Sequence, residues 1–189
     1  MLKLFITATD TDAGKTYAAQ AIVHALVQAG NKVAVYKPIS AGCELIDNTL
    51  VNEDALLLLK QSNCQQTISQ VNPIAFEQPI APHIAASKLQ QTISINDIER
   101  NYEDVINLAA NVVICEGAGG WRLPLGQGKF LSEFAQTSEQ NVILVVNMKL
   151  GCLNHAMLTY QAIISDGLTC LGWIANCPDD MPYLAENIS

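Results

Sequence analysis

Apolar residues in this chain fall into short dense runs, and stretches of helical spacing separate the runs from end to end. Leu2, Leu4, Phe5 and Ile6 make the first run, which feeds a small, polar turn in FITATDTDAGKT, residues 5–16. After it, Ala19, Ile22, Val23, Leu26 and Val27 recur at the spacing of one helix face, and Gly30 supplies a C-terminal cap. KVAVY (32–36), NVVICE (111–116), NVILVVN (141–147) and LGWIAN (171–176) are further strand-like runs. Asn52 reads as an N-cap ahead of EDALLLLK, and Ile98, Tyr102, Val105, Ile106 and Ala109 mark a later helix face. Short helices are expected from Phe130 to Ala135 and from Lys149 to the stop at Gly167.

Two segments lack either period. Residues 40–52 are small and polar and predict a loop. The three prolines of NPIAFEQPIAPH (72–83) predict an ordered, extended connection. Five apolar strands alternating with helices predict an α/β fold, a parallel sheet with helices on both faces, as a single domain over residues 1–189.

Composition narrows the function. Half of the residues are hydrophobic and 15% are charged, which favours a well-buried core over disorder. The formal net charge is −8 and no Lys/Arg cluster exists, which argues against nucleic-acid binding; an anionic ligand needs a local site. No apolar run approaches the ~20 residues that cross a bilayer, and the start of the chain does not read as a signal peptide, so a cytoplasmic protein without membrane partners is expected. Cys43, Cys64, Cys115, Cys152, Cys170 and Cys177 include no C-x-x-C pair and read as buried hydrophobes.

Candidate chemistry sits at strand ends. Gly14-Lys15-Thr16 between a strand and a helix is the setting of a phosphate-binding loop, with backbone N–H groups aimed at the anion. Lys15 would reach the β/γ-phosphates and Thr16 would ligate Mg²⁺. The strict pattern asks for glycine where this chain has Thr9. Lys37 follows the second strand directly, on the side where open α/β sheets bind ligands. Glu116 ends a buried strand before Gly117-Ala118-Gly119-Gly120, placing an acid for Mg²⁺ beside glycines that let backbone approach a phosphate. Asp54 in a first helical turn either complements the helix dipole or helps to hold Mg²⁺, and spacing does not choose between these. His83 has no acidic or metal-ligand neighbour in sequence and reads as a packing or capping residue.

ATDTDAGKT, YKPISAG, NEDALLL, NPIAFEQPIAPH, CEGAGGW, VNMKLGCLNHA and GWIAN occur here in the order in which the dethiobiotin synthetase family carries them. The chain resembles that family, a P-loop group related to MinD and ParA, over nearly its whole length. The resemblance implies an ATP- and Mg²⁺-dependent closure of a cyclic urea on 7,8-diaminononanoate with CO₂, through a carbamate and a carbamic–phosphoric anhydride. It implies that Asp12, Ala13, Gly14, Lys15, Thr16 and Tyr17 wrap ATP, with Gly117, Ala118 and Gly119 nearby. It implies Thr16, Asp54 and Glu116 as Mg²⁺ ligands, with Lys15 and Lys37 flanking the reacting centre. Thr11, Ser40 and Pro79 are implied at the diamine, Gly151, Cys152 and Asn154 at its carboxylate tail, and Asn176, Pro182 and Asn187 at the adenine. In the family the 151–154 helix start belongs to the neighbouring subunit, so a homodimer with shared active sites is expected.

Three departures stand out. Ala8 replaces a usual glycine, Ala41 replaces a usual Ser or Thr with Ser40 beside it, and the segment between Asn176 and Pro182 is shorter than in the family. A ParA/MinD-like switch is the alternative, but positions 8–13 lack the additional lysine of such loops.

Overall fold

The computed structural model describes residues 1–177 and 183–188. In chain order the elements are β1 (Leu2–Ala8), α1 (Lys15–Gln28), β2 (Val33–Tyr36), β3 (Ile39–Ala41), β4 (Glu44–Ile46) and β5 (Thr49–Val51). There follow α2 (Glu53–Gln61), α3 (Ile68–Val71), β6 (Ile74–Phe76), α4 (Pro82–Lys88), α5 (Ile95–Ile106) and β7 (Val112–Glu116). The last are β8 (Pro124–Gly126), β9 (Lys129–Phe130), α6 (Ser132–Thr137), β10 (Asn141–Asn147), α7 (Cys152–Ser165), β11 (Cys170–Asn176) and α8 (Leu184–Ile188). The five strand-like runs of the sequence form one parallel sheet, in the order β11-β10-β1-β7-β2.

Both faces of the β1–β7–β2 half are buried, and the period of two sorts its side chains between two cores. Phe5, Ala34, Tyr36, Val113 and Cys115 point to the face covered by α5 and α6, where they meet Ile98, Tyr102, Val105 and Phe134. Leu4, Ile6, Val33, Val35 and Ile114 point to the other face, against Ala19 and Val23 of α1 and Leu58 of α2. The first core is aromatic: Phe134 meets Tyr102 edge to face at 5.2 Å and Tyr36 at 6.0 Å between ring centroids. The Tyr36 hydroxyl is buried there and donates to the Ile98 carbonyl at 2.8 Å, as a buried phenol requires. Cys115 is fully buried between these layers, and burial pushes its thiol pKa up to about 12, so it stays a neutral packing group.

The expected loop at 40–52 is instead structured. Its first residues complete β3, which pairs in parallel with β6, and β4 and β5 form an antiparallel hairpin. Asp47 and Asn48 make the hairpin turn with φ of +47° and +61°, the left-handed pair that a tight two-residue turn needs and that short polar side chains tolerate. The extended reading of 72–83 holds for its middle, but the segment contains β6 and its Pro82 opens α4 at a position that sacrifices no backbone hydrogen bond. Asn52 caps α2 as expected, its side chain accepting from Ala55 N. α7 starts three residues later than Lys149, because Gly151 is its N-cap with φ +93°.

Candidate active site

β1 delivers the chain to the carboxyl edge of the sheet and α1 takes it away, so residues 9–14 must turn within that space. Gly14 is the N-cap of α1 with φ +87°, and a Cβ there would lie 2.2 Å from Asn176 Nδ2. Glycine is therefore demanded twice, by conformation and by room. Ala8 is the last residue of β1 and is not among the positive-φ positions, so alanine serves where the family prefers glycine. Asn176, at the end of β11, donates to the Ala13 carbonyl at 3.0 Å and props the loop from beneath.

Two strand ends and the first turns of α1 and α2 then place four side chains together. Glu116 at the end of β7 is fully buried; its Oε1 accepts from Thr16 Oγ1 at 2.8 Å and from Lys37 Nζ at 2.6 Å. Asp54, in the first turn of α2, closes the cluster with Oδ2 at 3.3 Å from Lys37 Nζ. Burial pulls the Lys37 pKa down, but the charges and hydrogen bonds of Glu116 and Asp54 outweigh it and hold the pKa above the usual lysine value. Lys15 is displaced the other way: burial first and the Lys37 charge second hold it below the ordinary value. Its Nζ rests 3.4 Å from the Asp10 carbonyl. An arriving polyphosphate would supply the negative charge that Lys15 lacks.

The donor set suits a hard divalent cation. Glu116 Oε2 is buried with no hydrogen-bond partner, an orphan that a metal ion would satisfy. With Thr16 Oγ1 and Asp54 it offers only oxygens, as Mg²⁺ requires, and Mg²⁺ takes its remaining ligands from water and substrate phosphates. No cluster of three or more His, Cys, Asp or Glu placed to hold a metal unaided occurs among the described residues.

These groups border a cavity of about 840 Å³. Of the residues picked out in the sequence, it brings together Thr11, Asp12, Gly14, Lys15, Thr16, Lys37, Ser40, Asp54, Pro79, Glu116, Ala118 and Gly119. Pro79, Ile80, Ala81, Pro82 and Leu123 make one wall apolar. Ala13 and Gly117 lie behind the lining: Ala13 is fully buried, and a Cβ on Gly117 would come within 3.1 Å of the Phe5 ring. Tyr17 is 75% exposed on α1 and does not line the cavity. His83 sits in the first turn of α4, its Nδ1 buried without a partner.

The positions expected around the adenine and the carboxylate tail are not gathered here. Asn187 and Cys152 line a separate apolar groove of about 400 Å³ between α7 and the β10–β11 edge. Gly151 and Asn154 are outside the cavity lining as well. Pro182 lies outside the described residues. Conversely, Asn72 and Lys149 escaped the sequence reading. Asn72 bonds Lys37 and Ser40 across the fold, and Lys149 pairs with Asp10 at 3.1 Å; both contacts are far apart in sequence.

Comparison with known proteins agrees with this arrangement. The AAA domain family matches residues 2–188. ATP-dependent dethiobiotin synthetase BioD of Aeromonas salmonicida is 46% identical over 185 residues, 97% of this chain and 82% of that protein. Its counterpart of the same name in Pseudoalteromonas translucida is 42% identical over 179 residues, 95% of this chain and 79% of that one. Among solved structures, the kinase domain of Escherichia coli tyrosine kinase ETK overlays with a TM-score of 0.53 at 18% identity, covering 96% of this chain and 70% of that one. That likeness shows the fold. With the sequence motifs, the sheet order and the relatives in agreement, the chain belongs to the ATP-dependent dethiobiotin synthetase family.

Proposed function

We propose that this protein closes the ureido ring of dethiobiotin from 7,8-diaminononanoate, CO₂ and ATP, acting in the cytoplasm as one catalytic domain over residues 1–189. The observation that carries the reading is the buried Lys37 ammonium, fixed between Glu116 and Asp54 in the same cavity as the phosphate-loop Lys15. The additional lysine of a ParA/MinD-like switch belongs to the phosphate loop itself, whereas Lys37 enters from the end of β2 and lines the cavity together with Pro79, Ile80 and Leu123.

The chemistry accumulates anionic charge. One substrate amine takes up CO₂ to become a carbamate, whose oxygen attacks the γ-phosphorus of ATP and expels ADP. The second amine then attacks the carbonyl carbon of the mixed anhydride, the C–O bond breaks and phosphate leaves. Lys37 and Lys15 flank the reacting groups and offset this charge from buried positions. Thr16, Asp54 and Glu116 would hold Mg²⁺, which when bound supplies further positive charge at the phosphate oxygens. No covalent intermediate on the protein is needed; positioning and electrostatics suffice. Thr11, Ser40 and Pro79 border the room left for the diamine.

The reading includes a homodimer. Gly151, Cys152 and Asn154 do not face their own cavity, and the N-terminus of α7 is suited to a carboxylate in the site of a second copy. Leu150, Leu153, Met157 and Trp173 leave apolar surface exposed on that side, as an interface would. The test is phosphate release from MgATP and bicarbonate with and without the diamine. Diamine-dependent release with a product of the cyclic urea's mass is expected; release indifferent to the diamine would overturn the reading.

A further inference from the structure

Lys37 is fixed at its main chain as firmly as at its ammonium. Its N–H donates to the Val71 carbonyl at 2.7 Å, and its carbonyl accepts from Asn72 Nδ2 at 2.7 Å. Asn72 is 5% exposed, so neither end of its carboxamide can fall back on bulk water. The hydrogen-bond polarity that follows is forced. A main-chain carbonyl only accepts, so the Asn72 NH₂ must face Lys37. Asn72 Oδ1 then faces Ser40 Oγ at 2.6 Å and, being an acceptor only, obliges the Ser40 hydroxyl to donate. What Ser40 has left is its two lone pairs. Cys43 Sγ lies 3.1 Å away, where its thiol can donate to one of them. The other has no partner among the described residues, on a residue that is 2% exposed and borders the same cavity as Lys37.

The geometry points to Asn72 as a positioning residue that sets the Lys37 backbone and turns Ser40 into an obligate acceptor, so that the cavity selects a substrate bearing an N–H donor there. The selectivity half of this rests on the diamine reading of the site.

Three variants separate the two roles. Asn72→Ala removes both bonds, leaving the Lys37 carbonyl and the Ser40 hydroxyl unpaired in a buried place; kcat is expected to fall about tenfold or more and the diamine KM to rise several-fold. MgADP affinity should stay within about twofold, since Asn72 does not line the cavity. Asn72→Asp, which keeps the shape should the alanine variant fail to fold, cannot donate to Lys37 but still accepts from Ser40, so kcat falls while the diamine KM holds. Ser40→Ala raises the diamine KM alone. A readout free of the diamine is the exchange of the Lys37 ammonium protons by heteronuclear NMR, expected to speed up about tenfold in Asn72→Ala. A folded Asn72→Ala protein with unchanged kcat and unchanged proton exchange, or one that loses MgADP affinity in step with kcat, would overturn the positioning role. If the wild type lacks diamine-dependent turnover, the functional reading fails and the NMR comparison still decides the role of Asn72.

Discussion

The two halves of the sheet are built to different standards. On the β1–β7–β2 side every residue of β2 and β7 is buried, and Glu116 enters with one of its two oxygens paired to Lys37. On the β10–β11 side the edge strand alternates between half-buried and exposed positions, with Leu171 and Trp173 in the open. α7 adds Leu153, Met157 and Tyr160 beside Trp173. One half completes its own core; the other leaves apolar area that a partner surface would cover. The charges proposed for catalysis, Lys15, Lys37 and Glu116, sit on the self-sufficient half, where burial makes each charge count most. The two halves are joined along the β1–β10 ladder and meet again at the phosphate loop, where Asn176 of β11 donates to the Ala13 carbonyl.

The largest test acts on the buried half alone. Lys37→Ala should lower turnover by about 10²- to 10³-fold while a folded protein keeps MgADP binding. It should also cost about 3–5 kcal/mol of stability, since Glu116 is left buried without its cation. Steady-state kinetics, calorimetric titration and denaturant unfolding report the three quantities, and loss of MgADP binding in a folded variant would contradict the division of roles.

Gly14→Ala strikes the seam between the halves. The backbone pays about 1–2 kcal/mol for a left-handed alanine, and the new methyl meets Asn176. Nucleotide affinity should drop about tenfold or more, and adding Asn176→Ala should recover only part, because it relieves the clash and not the φ. Full recovery in the double variant would mean that conformation was never the issue.

Trp173→Glu with Met157→Glu addresses the open half. Charges on that surface should convert a dimer to a monomer in sedimentation equilibrium while MgADP affinity changes by less than about twofold. An unchanged mass would place the subunit contact elsewhere.

The smallest effect is expected from the exposed Asp10–Lys149 pair, which joins the phosphate loop to the segment before α7. Lys149, and then the Thr11 N–H, hold the Asp10 carboxyl below its ordinary value. A depressed acid stabilises the fold above its ordinary pKa and loses that contribution as pH falls through the lowered one. Asp10→Asn should therefore cost less than about 1 kcal/mol near neutrality and nothing in strong acid. A difference that persists in acid would assign the effect to packing.

The seam also shows where reading the chain succeeds and stops. Gly14-Lys15-Thr16 and Glu116 were legible because each stands next to the strand or helix that aims it, within a few residues. The Asp47–Asn48 hairpin was legible in principle from its turn pair, but three-residue strands carry too short a period to declare themselves. Asn72 was not legible at all: its partners, Lys37 and Ser40, lie more than thirty residues away.

By itself, then, the sequence determined the order of the five sheet strands and of the long helices between them, and the residue types gathered at the sheet's carboxyl edge, since local periodicity and turn chemistry dictate these. Only the tertiary structure decided which of Thr16, Lys37, Asp54 and Glu116 pair with one another, how Asn72 and Asn176 brace them, and which half of the sheet stays open. Those outcomes depend on distances between strand ends, and the packing of the two cores sets those distances.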